Sequence, residues 1–322
     1  MGNSATSSEN TASTAVTHIF NTTPWDLGID HTFQTFFTPN ALDNLNKQYN
    51  GRKLEVVSDI PIWTKSLVTC LGGLTRIPKA AGFGALIISI VIDIVTASIK
   101  DLIPEENSAD ILRRVFAEEK ASTVYNEMEE ALKRCTMNIN NEAKMKSGIV
   151  YVERRLSVAL TTLKNSMLHD HMKTRSLKIW VNGAAFHVQL LIHLARLEEG
   201  ADSHQALAAI LIYQKNLEQL LLKYKESKSK TIVGKYTMGN HRVCCPVSYD
   251  IVDEDIGQSL LSGSFYAPKY PPNVWPHPRE IVKALHDDIL KYHQIIQVRE
   301  HFREVRENLV ELISQREYFI LS

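Results

Sequence analysis

The sequence predicts an all-α protein: an elongated antiparallel bundle of long helices around an apolar helix, with an irregular strap before the last helix. Three observations carry that expectation. From residue 111 onward, apolar side chains recur at alternating spacings of three and four, the period of a helix buried along one stripe. Residues 80–99 form a twenty-residue run with a single charge, Asp93. Residues 225–278 break the helical pattern with glycines, six prolines and no long periodic run.

Residues 1–45 read as a flexible N-terminal arm. The chain opens Met1-Gly2-Asn3-Ser4-Ala5-Thr6, which fits the myristoylation pattern with Gly2 as acceptor and Thr6 at the required hydroxyl position. The Ser/Thr/Asn-rich stretch that follows carries too little apolar surface to order itself, so disorder is expected. One myristoyl chain attaches a protein only weakly and reversibly. No cysteine and no Lys or Arg lies within the first 45 residues, so a second membrane signal has to come from the folded body.

Residues 46–224 are expected to form the helical body. Within it, 60–99 read as an apolar helical hairpin, its arms joined by Thr75-Arg76-Ile77-Pro78-Lys79, where the proline stops a helix. The second arm is long enough to span a bilayer. Its ten or so strongly apolar residues favour insertion by about 0.3 to 0.6 kcal/mol each, while Asp93 costs about 2.5 to 3.5 kcal/mol and the small polar residues erode the rest. The sum lies near zero, which leaves three readings: a central core helix, conditional insertion, and a constitutive span. Phe83, Leu86, Ile87, Ile90, Val91 and Ile94 are the residues that would enter the bilayer.

Four long helices follow, expected at 111–137, 141–168, 174–198 and 204–224. The second shows a heptad-like seam through Ile149, Val152, Leu156, Leu160, Leu163 and Met167. The strap, 225–278, contains strand-like runs that look too short for a sheet. Pro278 suits the first position of a last helix, expected over 279–315 within a C-terminal segment 279–322 that packs on the bundle. The basic run 223–242 offers Lys223, Lys225, Lys228, Lys230 and Lys235 as contacts for anionic lipid, at about 1 kcal/mol for each cation near the surface.

Lys+Arg and Asp+Glu are both 36, a balance that argues against a general nucleic-acid binder. The four cysteines, Cys70, Cys135, Cys244 and Cys245, form no CxxC or zinc spacing and read as free thiols in a reducing compartment. No nucleotide-binding, metalloprotease or serine-hydrolase motif is present, so no enzyme activity, catalytic residue, metal or cofactor is expected. His187 and His193 are six apart, hence on different helix faces, and read as core or surface histidines.

Leu54-Glu55-Val56-Val57-Ser58, followed by the apolar segment 80–99 and a charged helix from Ile111, resembles the start of the fish rapunzel-type proteins. That resemblance covers about the first third of the chain and implies a helical protein without catalytic activity. The shielding of an apolar hairpin among long helices is also similar to helical pore-forming bundles.

The functional expectation is a non-enzymatic, N-myristoylated peripheral membrane protein acting as an interaction or regulatory module. It would sit in the cytoplasm on the cytosolic face of a membrane, with that surface and a protein as partners. Self-association into a homo-oligomer is left open. The alternatives are a membrane-permeabilising effector that inserts 60–99, and a soluble helical scaffold.

Overall fold

A computed structural model describes residues 3–71, 76–77, 83–100, 107–116, 122–139, 141–169, 171–197, 203–238, 246–266, 278–314 and 319–320. It is mainly helical, as the periodicity requires. In chain order the helices are α1 (Asn3–Thr22), α2 (His31–Phe36), α3 (Ala41–Glu55), α4 (Ile60–Cys70) and α5 (Phe83–Lys100). Then come α6 (Ile111–Phe116), α7 (Thr123–Met137), α8 (Glu142–Leu168), α9 (Thr174–Leu197) and α10 (His204–Thr231). The last are α11 (Pro278–Asp288), α12 (His293–Glu307) and α13 (Leu309–Ser314). Among the described residues the strands are β1 (Arg76–Ile77), β2 (Ile232–Met238), β3 (Pro246–Asp253), β4 (Gln258–Tyr266) and β5 (Phe319–Ile320).

The chain divides into two compact units, whose boundaries fall inside α8, α9, α10 and α12. The first comprises residues 1–27, 166–177 and 218–297. It corrects two expectations. The arm is not a disordered tail: α1 spans Asn3–Thr22, with Ala12, Val16 and Ile19 buried at helical spacing, and Trp25 buried beyond it. Those few apolar residues suffice because α1 packs against α11 and β4, and just beyond them Phe20 lies tilted and Trp25 edge-on against the Tyr292 ring. The strap is not irregular over its described residues. β2, β3 and β4 form an antiparallel sheet in that order, and β3 and β4 join through a turn in which Gly257 takes φ +66°. Tyr249 lies opposite Gly263, where a Cβ would meet the ring within 2.5 Å, so the tyrosine covers the bare backbone of the neighbouring strand.

The second unit comprises residues 28–165, 178–217 and 298–322. Its centre is α9, buried at every position from Ile179 to Leu197. Close approach is possible because Gly183 carries no side chain: a Cβ there would stand 2.8 Å from Leu160 Cδ2 and 2.9 Å from Val124 Cγ1. The buried polar groups of α9 do specific work. Asn182 Oδ1 accepts from the Asp30 N–H at 2.7 Å, and its Nδ2 donates to the Gly28 carbonyl at 3.0 Å. Arg114 forks onto both Asp30 oxygens, Nε at 2.6 Å and Nη2 at 2.9 Å. Burial alone would raise the Asp30 carboxyl, but Arg114 and the Thr32 N–H outweigh it and hold the group below the usual carboxylate range. Further along α9, Arg196 Nε donates to the Leu312 carbonyl at 2.6 Å.

Three helix expectations also shift. The 111–137 helix is α6 and α7, the latter starting where Ser122 Oγ accepts from the Tyr125 N–H. The fourth helix runs on to Thr231 because Tyr224 and Lys228 continue its buried face. The last long helix is broken by a 3-10 turn at Ile289–Lys291 and an extended Tyr292, then again at Asn308.

Candidate functional site

Of the expected bilayer-facing residues, Leu86, Ile87, Ile90 and Val91 are buried in the second unit, and Ile94 is 49% exposed. Phe83 begins α5, and its side chain and Gly2 lie outside the described residues. Asp93 is completely buried, yet its charge is matched. Oδ1 accepts from Arg52 Nε at 2.9 Å, and Oδ2 accepts from the Ser108 N–H at 2.6 Å. Thr96 Oγ1 accepts from Trp63 Nε1 at 3.0 Å, tying α4 to α5, and donates to the Ile92 carbonyl. Ser89 Oγ donates to the Leu86 carbonyl. An apolar helix whose polar groups find these partners is at home inside a protein. Among the described residues no helix is long and apolar enough to cross a membrane.

The basic run divides sharply. Lys230 and Lys223 both pair with Glu226, at 2.7 and 3.3 Å, and Lys235 pairs with Glu254 at 3.0 Å. Lys225 Nζ donates to the Asp287 carbonyl. Exposed pairs of this kind are worth about 0 to 1 kcal/mol, so these lysines can exchange partners. Lys228 corrects the expectation of a lipid contact. It is 1% exposed, with Nζ 2.6 Å from Asp253 Oδ2 and 2.8 Å from Asp255 Oδ2. It faces inward because four-residue spacing from Tyr224 puts it on the buried stripe of α10. There Trp25 and Tyr224 present their rings to the ammonium at 5.5 and 5.3 Å. Trp25 Nε1 donates to Asp253, and Thr174 donates to Asp255 from both its N–H and its hydroxyl. Burial would raise the Asp255 carboxyl, but Lys228 and Thr174 prevail and lower it.

The second unit also contains a cleft of about 590 Å³, formed by faces of α8, α9 and α10. Val150, Glu153, Arg154 and Ser157 supply one wall at helical spacing, and Ala208, Ala209 and Ile212 supply the other. Leu191 and Leu194 form the floor. His187 reaches into it with both ring nitrogens engaged: Nε2 lies 3.2 Å from Glu153 Oε1 and Nδ1 3.0 Å from the Tyr213 hydroxyl. Burial, then the Glu153 charge, push the Tyr213 hydroxyl well above its ordinary value, while Ser157 opposes them. Tyr213 therefore stays a phenol, hydrogen-bonded to His187 Nδ1 on one side of the ring while Glu153 meets Nε2 on the other. A protonated, buried phenol is a positioning group and no nucleophile.

Spacing correctly placed His187 and His193 on different faces of α9, but Glu153, Arg154, Ser157 and Tyr213 were not singled out. The signal of the first three is, with Val150, the i, i+3, i+4, i+7 face of α8, a pattern that a solvated helix surface shares, while Tyr213 lies on α10. A second hollow of about 260 Å³ lies beside α2 and α3, lined by His31, Thr35, Asn44, Gln48 and Arg52 among others. Cys70 is exposed and Cys135 buried, both as free thiols, while Cys244 and Cys245 lie outside the described residues. Among the described residues no group of His, Cys, Asp and Glu has the makings of a metal site. No protein-family model, curated protein or solved structure matches this chain.

Proposed function

We propose that the protein is a non-enzymatic, N-myristoylated peripheral membrane module, held at a cytosolic membrane face and acting through protein contacts of its helical body. The observation that carries this reading is the opening Met1-Gly2-Asn3-Ser4-Ala5-Thr6. The body supports it in two ways. Its most apolar helix is packed inside, so attachment falls to the acyl chain, and Lys223, Lys230 and Lys235 sit in weak exposed pairs that anionic headgroups can replace. The test is metabolic labelling with an alkynyl myristate, comparing wild type with Gly2→Ala. Label on wild type alone, with Gly2→Ala lost from the membrane fraction, is the expected result; unlabelled wild type overturns it.

A second reading, membrane permeabilisation by the α4–α5 hairpin, draws on one observation. The buried charge of α5, Asp93, is held by Arg52 and Ser108, so few polar bonds separate the packed helix from a released one. Dye release from anionic liposomes tests it, with Ile94→Asp, on the half-exposed face, expected to suppress leakage. Intact protein that leaves liposomes sealed at every pH and salt tried overturns this reading.

A further inference from the structure

We propose that the corner between α3 and α4 is a second membrane contact, at which Leu54, Val57, Pro61 and Ile62 enter the interfacial layer of an anionic bilayer. The inference rests on the membrane reading above and names the attachment that a single acyl chain lacks. One myristoyl group holds a protein only weakly, and the first 45 residues offer neither a cysteine nor a cation to reinforce it. The corner is a tight turn. Helix α3 ends at Glu55, the Asp59 N–H donates back to the Val56 carbonyl at 2.8 Å, and the Trp63 N–H donates to the Asp59 carbonyl at 2.9 Å as α4 begins. Pro61 suits that first turn, where a missing N–H costs nothing. The inner side is closed: Tyr49, Val56, Trp63 and Leu67 are buried, and Trp63 Nε1 donates to Thr96 of α5. Arg52 fastens the end of α3 to the same helix through Asp93. The outer side is the reverse. Leu54 is 73%, Val57 67% and Ile62 60% exposed, and Pro61 is exposed beside them. Single apolar side chains scattered over a surface need no explanation, but these share one turn and its flanks, on a mount held to α5 by buried bonds.

Size and charge choose the occupant. Four side chains cover well under the roughly 800 Å² that each partner gives to a stable protein interface, which argues against a second copy or a folded partner. A fluid bilayer conforms to a projecting corner and takes apolar side chains about 5 to 10 Å deep. Lys53 and Lys65 flank the apolar group and meet no carboxylate among the described residues. Lys53 Nζ lies over the Tyr49 ring at 5.7 Å, and Lys65 is exposed three residues from Ile62, on the outer face of α4. The carboxylates of the corner are already engaged, Glu55 by Arg52 and Asp59 by the Ser58 hydroxyl. With the apolar tip inserted, the two lysines extend along the surface and reach headgroup phosphates.

The experiment is vesicle co-sedimentation of the full chain, produced with an N-myristoyltransferase and, as Gly2→Ala, without an acyl chain. The vesicles are phosphatidylcholine with and without phosphatidylserine. Val57→Asp should weaken binding about tenfold in each form that binds, and Leu54→Asp should act alike. Val158→Asp, at an equally exposed apolar position on α8, should change nothing. Lys53→Gln combined with Lys65→Gln should weaken binding to the phosphatidylserine vesicles several-fold and leave pure phosphatidylcholine unchanged. In Val57→Trp the added fluorescence should be quenched by lipids brominated on the acyl chain. Val57→Asp binding as wild type, an equal loss in Val158→Asp, absent quenching, or binding by neither form would each overturn the proposal. A dimer that Val57→Asp dissolves, seen by sedimentation velocity without vesicle binding, would make a second copy the occupant and overturn it too. Failure of the acyl reading looks different. Gly2→Ala then binds as tightly as the chain with Gly2, and the Val57 comparison still decides on the unacylated protein.

Discussion

Lys228 and Asp253 form an ion pair of 2.6 Å with both side chains closed off from water. Such a pair is more costly to break than it was valuable to make, because removing one partner strands the other charge. Lys228→Met leaves Asp253 and Asp255 facing Trp25 and Thr174 without a cation, and should cost about 3 to 5 kcal/mol in a denaturant titration. Lys230→Met, two residues on and paired only at the surface, should stay within about 0.5 kcal/mol of wild type.

Arg52 plays the matching part for Asp93 in the second unit. Arg52→Met should destabilise by about 3 to 5 kcal/mol, and hydrogen exchange should accelerate first in α5. Glu55→Gln removes the outer partner of Arg52, which is exposed, and should leave exchange in α5 unchanged. Equal exchange rates in α5 for Arg52→Met and wild type would contradict this account.

Gly263 sits under the Tyr249 ring, so Gly263→Val forces the ring aside and should cost about 1 to 3 kcal/mol by overpacking. Tyr249→Ala in the same background should recover much of that loss. The pair is read best as a double-mutant cycle.

Acid should weaken the second unit through two histidines. Burial, then the charge of Arg196, lower His193 to about 3, and burial lowers His301 to about 4, both from 6.5. The unfolded chain therefore binds more protons as the pH drops from 6.5. The stability held by neutral imidazoles is complete above that value and declines below it, until the folded values are reached. For His193 the decline is about 1.4 kcal/mol per pH unit. Unfolding midpoints measured from pH 7 to 4.5 should fall in wild type and fall less steeply in His193→Leu.

Much of this was legible in the pattern of apolar residues. Helices α8 and α9 came out within a residue or so because Ile149, Val152, Leu156 and Leu160 repeat along one stripe, and Leu177, Trp180, Val181 and Ala184 along another. The sheet was missed although Val247, Tyr249, Ile251 and Asp253 alternate along β3. Its neighbour β4 is rich in serine and carries Gly263, which hides the period, and the alternating set ends on a charge that is buried only because Lys228 meets it. The arm was misjudged because composition averages over position: three apolar residues at the right spacing ordered α1 within a polar stretch. Lys228 shows the same limit. Nothing local separates it from Lys225 or Lys230, and its role appears only when Asp253 is brought to it across 25 residues.

The bond from Arg196 to the Leu312 carbonyl joins groups 116 residues apart, and it bears on how the chain emerges from the ribosome. At about 5 to 20 residues per second, roughly 6 to 23 s separate the synthesis of Arg196 from that of its acceptor. Throughout that interval Gln189, His193 and Arg196 lack the segment 298–314 with which they share a unit. The nascent protein thus carries its central helix half-clad for seconds, the window in which a chaperone has something to hold.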